Sequence, residues 1–495
     1  MKWQQELPRC LYKRRSIKLS TANELFNQPL QVINIGTSKF KEDLELQGVE
    51  TIQVDWQPPA GGNLQLLEAL DFFQENEKVE KANQESIQRI KDAHPFLIDI
   101  GLAIDVIPGM HSKKILHAGP PIAWENMAGP MQGAVIGALI FEGMAADEEQ
   151  ARALIEAGAI EFGSCNEHST VGPMAGIVSP SMPVHIIENR THGNRAYCTI
   201  NEGLGKVLRF GAFSSDVIDR LKWLRDVFAP ALKKALVLTD GIDLKAIIAQ
   251  ALHMGDECHN RNKAATSLFY REMTDYFMQT DCKTDTLREV LRFIQNNEHY
   301  FLNLSMPACK ASLDAGHGVP YSTVVTTMAR NGVEFGIRIS GLGDKEWFTA
   351  PANFIKGLYF PGYSEQDATR DLGDSAITET MGIGGFAMGG SPAIVQFVGG
   401  EVEDAIQYSE QMYDITVSEN SNYAIPTLNF RGAAFGIDVR KVIETSILPV
   451  INTGMAHKVA GIGQIGAGIV HPPKECFEKG LLRFYKLYGE EEANE

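Results

Sequence analysis

The 495-residue sequence has no long run of basic residues, and its formal net charge is −17. A protein that binds a nucleic-acid duplex needs a basic surface to displace counterions, so we expect no nucleic-acid partner. The longest apolar run, 133–141, is too short to span a bilayer. The first twenty residues are basic but lack the apolar stretch of a signal peptide. These absences predict a cytoplasmic protein that has no membrane partner.

Cysteine is scarce and scattered. The seven cysteines are odd in number, and none forms a C-x-x-C pair. This distribution argues against a disulfide framework and against a thiolate zinc site. Cys165 and His168 form a C-x-x-H, the spacing of a possible thiolate–imidazole nucleophile, but free cysteines are more often buried and inert. We favour the inert interpretation.

What the chain does contain is the composition of a large globular protein, with 44% hydrophobic and 22% charged residues. At ~150 residues per domain its length suggests about three domains. Short apolar runs alternate with glycine and proline, which predicts a multi-domain α/β (mixed α+β) fold with two glycine-rich α/β domains. The predicted parts are a leader at 1–29, a small Rossmann-like α/β unit at 30–110, an α/β domain at 111–215, a helical segment at 216–315, a glycine-rich α/β domain at 316–475 and a C-terminal helix or tail at 476–495.

The small unit begins with a strand–helix–strand pattern. Residues 32–35 predict a strand that ends at Gly36, residues 38–47 predict a helix, and residues 50–54 predict a second strand. Within the next domain the apolar runs also predict strands and a helix. The predicted strands are 113–117, 159–163, 184–188 and 196–200, and the predicted helix is 147–157.

A dinucleotide site is the weakest of the candidate functions. The sequence contains one G-x-G-x-x-G, at Gly461, Gly463 and Gly466, but a strand-like stretch and two prolines follow it instead of a helix. The turn at Gly36 has only one glycine. We therefore predict no cofactor, and an oxidoreductase remains a disfavoured alternative.

Residues 216–315 are mainly helical in pattern. Apolar Leu244, Ile248 and Leu252 share one helix face, and the continued stripe would carry Cys258 and His259. Such a helix would run from the core into a site. The pairs His253/Glu257 and Asp256/His259 could then meet around an ion, but the sequence has no H-E-x-x-H. We predict a hydrogen-bonded network there and no metal.

Five segments combine glycine and proline with many polar residues. They are 117–133, 165–176, 188–209, 373–390 and 452–471. Glycine lets backbone amides approach an anion closely, and a following helix N-terminus favours negative charge. Any one segment alone could be a tight loop between strands. Five in one chain favour a shared binding site.

The segment 188–209 is the richest in cations. Arg195, Lys206 and Arg209 could converge on a carboxylate or a phosphate, and the arginine fork suits either anion. The alternative is a solvated, charged loop in which Arg195 pairs with an acid such as Glu188 or Glu202. We favour binding, because glycines at 203 and 205 leave room for an anion.

These segments resemble a known family, the AllG-type subunit of oxamate carbamoyltransferase. The resemblance covers roughly residues 85–480 and rests on long runs. They are HAGPPIAWENMAGPMQG at 117–133, VGPMAGI at 171–177, NRAYC at 194–198, NEGLGK at 201–206, RISGLG at 338–343, WFTAP at 347–351, GDSAITET at 373–380 and HKVAGIGQIGAG at 457–468.

The resemblance implies a carbamoyltransferase subunit that interconverts oxalurate plus phosphate with oxamate plus carbamoyl phosphate, in allantoin and purine breakdown. It also implies an FdrA-type partner similar to acyl-CoA synthetases and a further small subunit, and it leaves a homo-oligomer open. The unit at 30–63 resembles the end of the FdrA-type partner. The Ser-x-Arg-Thr phosphate loop of familiar carbamoyltransferases is absent. The alternative is a non-catalytic scaffold or ligand-binding subunit.

The implied reaction needs a bound phosphate, a polarised carbonyl and a proton for the leaving nitrogen. We expect proton transfer by histidine, because histidine titrates nearest neutral pH. The predicted catalytic residues are His117, His168, His457 and Glu202. The predicted substrate-binding residues are Arg195, Lys206, Arg209, Arg338, Asn201, Asp374, Ser375 and Glu379. We expect His117, His168, Arg195 and the 373–385 loop to line one cleft.

Overall fold

The computed structural model describes residues 31–54, 58–74 and 76–493. The predicted leader at 1–29 lies outside these residues. The chain forms two compact units, divided between Gly61 and Gly62. This division falls inside the part predicted at 30–110, and the other predicted boundaries stay predictions. Together the elements give the mixed α/β, multi-domain fold that the sequence predicts.

The first unit contains the predicted strand–helix–strand. Strand β1 (Gln31–Ile35) precedes helix α1 (Ser38–Glu45), and β2 (Glu50–Val54) returns beside β1. The two strands are parallel, with Ile33 opposite Ile52. Gly48, whose φ is +76°, supplies the left-handed turn between the helix and the second strand.

The second unit holds the remaining strands and helices. Its strands are β3 (Pro95–Leu102), β4 (Lys114–His117), β5 (Glu161–Ser164), β6 (Pro183–Asn189), β7 (Arg195–Thr199), β8 (Ile242–Asp243), β9 (Val325–Asn331), β10 (Glu334–Ile339), β11 (Phe348–Pro351), β12 (Lys356–Tyr359), β13 (Leu372–Gly373), β14 (Thr416–Ile425), β15 (Arg431–Ile437), β16 (Ile451–Ala456) and β17 (Gln464–Val470). The four strands predicted between residues 113 and 200 are confirmed by β4, β5, β6 and β7.

The helices of the second unit are concentrated between residues 215 and 315. In chain order they are α2 (Leu64–Phe73), α3 (Glu77–Asp92), α4 (Ala103–Val106), α5 (Gly129–Phe141), α6 (Glu148–Glu156), α7 (Ser215–Trp223), α8 (Ala229–Val237), α9 (Leu244–His253), α10 (Lys263–Gln279), α11 (Thr284–Asn296), α12 (Leu302–Ala315), α13 (Ile377–Thr380), α14 (Val395–Val398), α15 (Val402–Gln411), α16 (Val439–Thr445) and α17 (Lys474–Ala493). In the described residues we find no helix with the length and apolar character that a membrane crossing requires.

The strands of the second unit form several small sheets. One has the strand order β7-β6-β3-β8 and another the order β11-β10-β9-β13, both antiparallel. A third has the order β12-β17-β16, while β14 pairs with β15 and β4 runs parallel to β5. A continuous apolar core extends from β3 across α5 to α12, and fully buried Tyr300 and Phe301 lie within it. This core gives the glycine-rich loops a rigid support.

Two helix predictions change in the structure. Helix α9 ends at His253, and the positive φ of Gly255 (+81°) and Cys258 (+62°) takes the chain into a loop. The prediction that the helix face continues to His259 is therefore wrong, and His253 and Glu257 do not share a helix face. The C-terminal helix α17 is also more than a charged tail, because Phe477, Leu481 and Phe484 are buried.

Candidate functional site

A pocket opens where loops from four of the five glycine-rich segments meet. Its outer part is a cavity of about 500 Å³. Its inner part is a smaller cavity of about 30 Å³ that shares four lining residues with the outer one. We call the two together the polar pocket. Its polar lining residues are Arg209, His259, Asn260, Arg261, Asn262, Lys263, Glu298, His299, Ser375, Thr453, Gln396 and Gln464.

The loop after α9 forms one wall of the polar pocket, and buried Glu257 fixes its shape. The carboxylate of Glu257 accepts hydrogen bonds from the backbone N–H groups of His259 (3.1 Å), Asn260 (2.7 Å) and Arg261 (2.7 Å). Burial, and then the neighbouring Asp256, raises the pKa of Glu257 to about 8. Three successive backbone amides are thereby turned inward, and the side chains of Asn260 and Arg261 line the pocket.

This wall presents polar atoms that the protein itself leaves unpaired. Asn260 Nδ2, Arg261 Nε and Asn262 Oδ1 are buried and have no hydrogen-bond partner among the described residues. A buried polar group without a partner costs about 1–3 kcal/mol, so these atoms are available for a hydrogen bond to water or to a ligand. Two donors and one acceptor in succession suit a ligand that has both an anionic group and an N–H group.

The inner cavity contains a buried histidine–carboxylate pair. His259 Nδ1 lies 2.7 Å from Glu379 Oε1, and both side chains are almost fully buried. Glu379 also accepts hydrogen bonds from the backbone N–H of Gly385 (2.8 Å) and the hydroxyl of Thr378 (2.9 Å). Gly384 has a φ of +61°, and a Cβ at this position would collide with the Glu379 carboxylate. The loop 379–385 is therefore built around this pair.

Arg209 and His299 complete the inner cavity. Arg209 Nη1 donates a hydrogen bond to Asn201 Oδ1 (2.9 Å). Burial lowers the pKa of the Arg209 guanidinium, while nearby Glu202 raises it. Burial, and then the charges of Arg209 and His259, lowers the pKa of His299 to about 4. His299 is thus neutral at pH 7, beside a guanidinium that carries the positive charge of this cavity.

Five predicted site residues build or line the pocket, and two of them, Arg209 and Glu379, are described above. Glu202 accepts hydrogen bonds from the backbone N–H groups of Leu208 (2.7 Å) and Arg209 (3.1 Å), so it closes the loop that carries Arg209. Burial raises the pKa of Glu202. Asn201 anchors the same loop through its 2.8 Å hydrogen bond to Asn303 Oδ1. The remaining one, Ser375, lines the inner cavity.

Asp374, another predicted binding residue, is fully buried and its carboxylate is already occupied. It accepts hydrogen bonds from the backbone N–H of Gly119 (2.8 Å), the backbone N–H of Gly172 (3.0 Å) and Asn166 Nδ2 (3.0 Å). Burial raises its pKa to about 7, and the two backbone hydrogen bonds lower it. Asp374 therefore joins the segments at 117–133, 165–176 and 373–390 instead of facing a ligand.

A second buried ion pair holds the same loop. Arg330 Nε and Nη2 bind the two oxygens of Asp371 at 2.7 and 2.8 Å, and Nη1 donates to the Gly373 carbonyl (2.8 Å). The guanidinium also reaches the hydroxyls of Ser375 and Thr453, both at 3.2 Å and both at the inner cavity. Arg330 thus positions two polar groups of the pocket from behind.

The three histidines predicted to transfer protons do not line the polar pocket. His117 is buried, its Nδ1 lies 2.9 Å from the carbonyl of Ala118, and burial lowers its pKa. His168 Nε2 lies 3.2 Å from Lys114 Nζ. His457 Nδ1 accepts a hydrogen bond from the backbone N–H of Val459 (2.9 Å). Catalytic roles for these three remain predictions.

Three predicted cations also lie outside the polar pocket. Arg195 faces Glu188 across β6 and β7, and its Nε and Nη2 bind the Glu188 carboxylate at 3.0 and 2.7 Å in an exposed pair. The prediction of a free Arg195 in a shared cleft is therefore wrong, because the strand register gives it an acidic partner. Lys206 is exposed. Arg338 is buried and donates to the Asp344 carbonyl beside His317.

Cys165 behaves as the inert interpretation predicts. Its thiol is buried and donates to the Gly176 carbonyl at 3.2 Å. Burial, and then the charge of Asp374, raises its pKa well above the usual value. A thiolate nucleophile at this position is therefore disfavoured. Within the ranges 31–54, 58–74 and 76–493, no group of three or more His, Cys, Asp and Glu side chains is arranged to hold a metal ion.

Sequence analysis missed several pocket residues. Asn260, Arg261, His299 and Gln464 line the pocket and were not among the predicted site residues. The available signal was the polar stretch 253–262, HMGDECHNRN, which follows an apolar helix. His259 was considered as part of a helix face that leads into a site, as a member of a hydrogen-bonded network and as a possible metal ligand. In the structure a loop, not the helix, brings it to the pocket, and the prediction of a site there stays a prediction.

The fold and the pocket define a multi-domain α/β protein with a polar pocket whose lining includes Arg209, Arg261 and Lys263. Residues 160–375 match the family model described as oxamate carbamoyltransferase subunit AllG. AllG of Escherichia coli (strain K12), named oxamate carbamoyltransferase subunit AllG, is 49% identical over 83% of this chain and 99% of its own length. The chain belongs to the AllG family of oxamate carbamoyltransferase subunits.

Two further relatives extend this comparison. The uncharacterized protein YahG of Escherichia coli (strain K12) is 52% identical over 94% of this chain and all of its own length. The unmatched 6% is shorter than the unit Met1–Gly61, so part of that unit has a counterpart in YahG. A crystal structure of a conserved protein of unknown function from Enterococcus faecalis V583 is 52% identical. It covers 83% of this chain and 98% of its own, with a TM-score of 0.82.

Proposed function

We propose that this chain is a catalytic subunit of an oxamate-type carbamoyltransferase. The reaction interconverts oxalurate plus phosphate with oxamate plus carbamoyl phosphate, in the cytoplasm, during allantoin and purine breakdown. The name of the AllG relative supports the reaction class and, because it is a subunit, the presence of partners. The proposed partners are an FdrA-type protein and a further small subunit.

The observation that carries this proposal is the set of unpaired polar atoms in the polar pocket. Oxamate and oxalurate each carry a carboxylate, and phosphate and carbamoyl phosphate are also anions. Arg261 Nε and Asn260 Nδ2 are buried donors that lack a partner among the described residues, and Arg209 adds a guanidinium at the inner cavity. Asn262 Oδ1 is an acceptor for a carbamoyl or amide N–H. A cavity of about 500 Å³ is large enough for such ligands.

One feature favours a second candidate, a ligand-binding subunit whose partner supplies the chemistry. The mouth of the pocket has four partly exposed apolar residues, Leu204 (59%), Phe360 (45%), Phe397 (52%) and Ile462 (38%). Exposed apolar groups around a polar site are typical of a surface that another chain covers. If the partner completes the site, this chain alone binds ligand but transfers nothing.

The direct test is an assay of the reconstituted complex. We expect carbamoyl phosphate plus oxamate to release phosphate when this chain is combined with the proteins encoded beside it. Released phosphate is measured by colorimetry and oxalurate by mass spectrometry. Omitting this chain is the control and should abolish both signals. Absence of transfer to oxamate and to other amide or ureido acids, in every combination of partners, would show that the proposed reaction is wrong.

Arg261→Lys tests the pocket itself. The change keeps the positive charge but removes Nε and the guanidinium fork, so we expect anion binding to weaken about 10- to 100-fold, or ~1.5–3 kcal/mol. Stability should barely change, because Arg261 Nε has no hydrogen-bond partner among the described residues and lysine keeps the charge that interacts with Asp256. Calorimetric titration with oxamate and with phosphate gives the affinities.

Arg195→Lys is the matched control. It makes the same chemical change in an exposed ion pair outside the pocket, so ligand affinity should equal that of the wild type and stability should fall by at most ~1 kcal/mol. A tenfold loss of affinity in Arg195→Lys together with normal binding by Arg261→Lys would place the anion site elsewhere.

A further inference from the structure

We propose that His259 is the residue that transfers the proton in the polar pocket and that Glu379 is its positioning residue. This inference rests on the proposed function and names the group that performs one of its steps. None of the residues predicted from the sequence to act as acid or base was His259. Its assignment comes from how the folded chain holds its ring.

The His259 ring is fixed on one side and faces the cavity on the other. Its Nδ1 lies 2.7 Å from Glu379 Oε1, which favours the tautomer with the proton on Nδ1. Its backbone N–H donates to Glu257 Oε2 (3.1 Å), and its carbonyl accepts from Asn262 Nδ2 (2.6 Å). Nε2 has no partner among the described residues, and His259 lines the inner cavity. Nε2 is thus the ring atom left for a ligand.

Glu379 is held as firmly as the ring that it orients. Its side chain has no exposed surface. Three hydrogen-bonding groups fix its position, namely the Gly385 N–H, the Thr378 hydroxyl and the His259 ring. A carboxylate in this position stabilises the imidazolium that forms when Nε2 accepts a proton, without accepting that proton itself. The arrangement is the acid–histidine half of a proton-transfer site.

Other histidines nearby are less suited to this step. His299 lines the same cavity, but it has no carboxylate on its ring, and burial lowers its pKa to about 4. His117, His168 and His457 line neither part of the polar pocket. Only His259 among these five combines a cavity-facing position with a buried carboxylate partner.

The step balances without any further reactant. When oxalurate reacts, a phosphate oxygen bonds to the carbamoyl carbon and the bond from that carbon to the oxamate nitrogen breaks. Hydrogen phosphate loses one proton, and the leaving nitrogen gains one. His259 Nε2 accepts the phosphate proton and delivers it to nitrogen, so the histidine ends the cycle unchanged. In the opposite direction Nε2 takes the proton from oxamate nitrogen and returns it to phosphate.

The test compares His259→Asn and Glu379→Gln in the reconstituted complex. Asparagine can keep a hydrogen bond to Glu379 but cannot carry a proton, so kcat should fall about 10²- to 10⁴-fold with KM within a few-fold of the wild type. Glu379→Gln should lower kcat less than His259→Asn does. It should also shift the acidic limb of the kcat pH profile relative to that of the wild type. The charged and titratable groups to consider around His259 in that profile are Glu379, Glu257, Arg209 and His299.

His94→Asn is the matched control, because His94 Nε2 lies 2.8 Å from Asp243 Oδ2 in a partly exposed pair outside the pocket. It should leave kcat unchanged. A His259→Asn complex with kcat within threefold of the wild type would overturn the inference while the proposed function stands. If the Glu379→Gln variant loses thermal stability but keeps the wild-type pH profile, Glu379 has a structural role and does not position His259 for proton transfer. A wild-type complex that transfers no carbamoyl group would overturn the proposed function, and the inference with it.

Discussion

Asp371→Asn is expected to lower the free energy of unfolding by about 3–5 kcal/mol. Asp371 and Arg330 form a fully buried, bidentate ion pair. Removing the negative charge leaves the guanidinium buried without compensation, and breaking a buried pair in this way has a cost of this size. Because Arg330 also holds Ser375 and Thr453, the pocket should lose affinity for its ligand as well. Chemical denaturation measures the free energy, and calorimetric titration measures the affinity.

The control for Asp371→Asn is Glu419→Gln. Glu419 binds Arg431 through two hydrogen bonds of 2.9 and 2.6 Å, but both side chains are nearly half exposed. Water replaces the lost partner there, so the unfolding free energy should fall by no more than ~1 kcal/mol. Equal losses in the two variants would mean that burial of the Arg330–Asp371 pair does not set its contribution.

Asp256→Asn is expected to stabilise the protein at neutral pH but not at low pH. Burial raises the pKa of Asp256 to about 6, and its Oδ1 is buried with no hydrogen-bond partner in the described part of the chain. The Asp256 carboxyl ionises near pH ~4 in the unfolded state but near pH 6 in the folded state. Between these two pH values the folded state therefore binds more protons than the unfolded state. The stability linked to Asp256 is therefore full below pH ~4 and is lost as pH rises through 6. Asparagine mimics the protonated form and avoids that loss.

The difference in unfolding free energy between Asp256→Asn and the wild type should grow by about 2–3 kcal/mol from pH 4 to pH 7.5. Buried His299 and His317, whose pKa values are lowered to about 4 and 3, affect both proteins equally and cancel in the difference. Glu257 does not cancel, because Asp256 helps to raise its pKa, so the substitution also lowers the pKa of Glu257 and adds to the difference in the same direction. Asp226→Asn is the control of opposite sign, because a hydrogen bond from Arg225 lowers the pKa of Asp226. A pH-independent difference for Asp256→Asn would contradict the assignment.

The local elements of the fold are largely predictable from the sequence. Short apolar runs between glycine and proline locate β4, β6 and β7, because these strands are buried and bounded by turns. The strand–helix–strand at the start is recognisable from its short apolar runs and glycine turns, although Ile33, Ile35 and Ile52 are exposed. The end of α9 is not, because its apolar stripe continues in register past His253 while Gly255 reverses the backbone. Periodicity alone does not reveal such a break.

The site is predictable by segment more than by residue. Four of the five glycine-rich segments meet at the pocket, and Arg209 and Ser375 line it, while their roles in substrate binding stay predictions. Arg195 does not line the pocket, because the register of β6 and β7 places Glu188 opposite it and the two side chains pair. Asp374 and Glu379 are conspicuous in the sequence, but only the structure shows that other protein groups already occupy their carboxylates. Pairings across hundreds of residues leave no local pattern.

The hydrogen bond from Gly119 to Asp374 also has a consequence for how the chain folds. It joins residues 255 positions apart, and the His259–Glu379 pair closes another loop of 120 residues. Contacts so distant carry a large loop-closure entropy and make folding slow, so the pocket should be among the last regions to become native. A fragment limited to residues 160–375 would lack Gly119, Glu379 and Gln464. Such a fragment spans the residues that match the family model but cannot form the complete polar pocket.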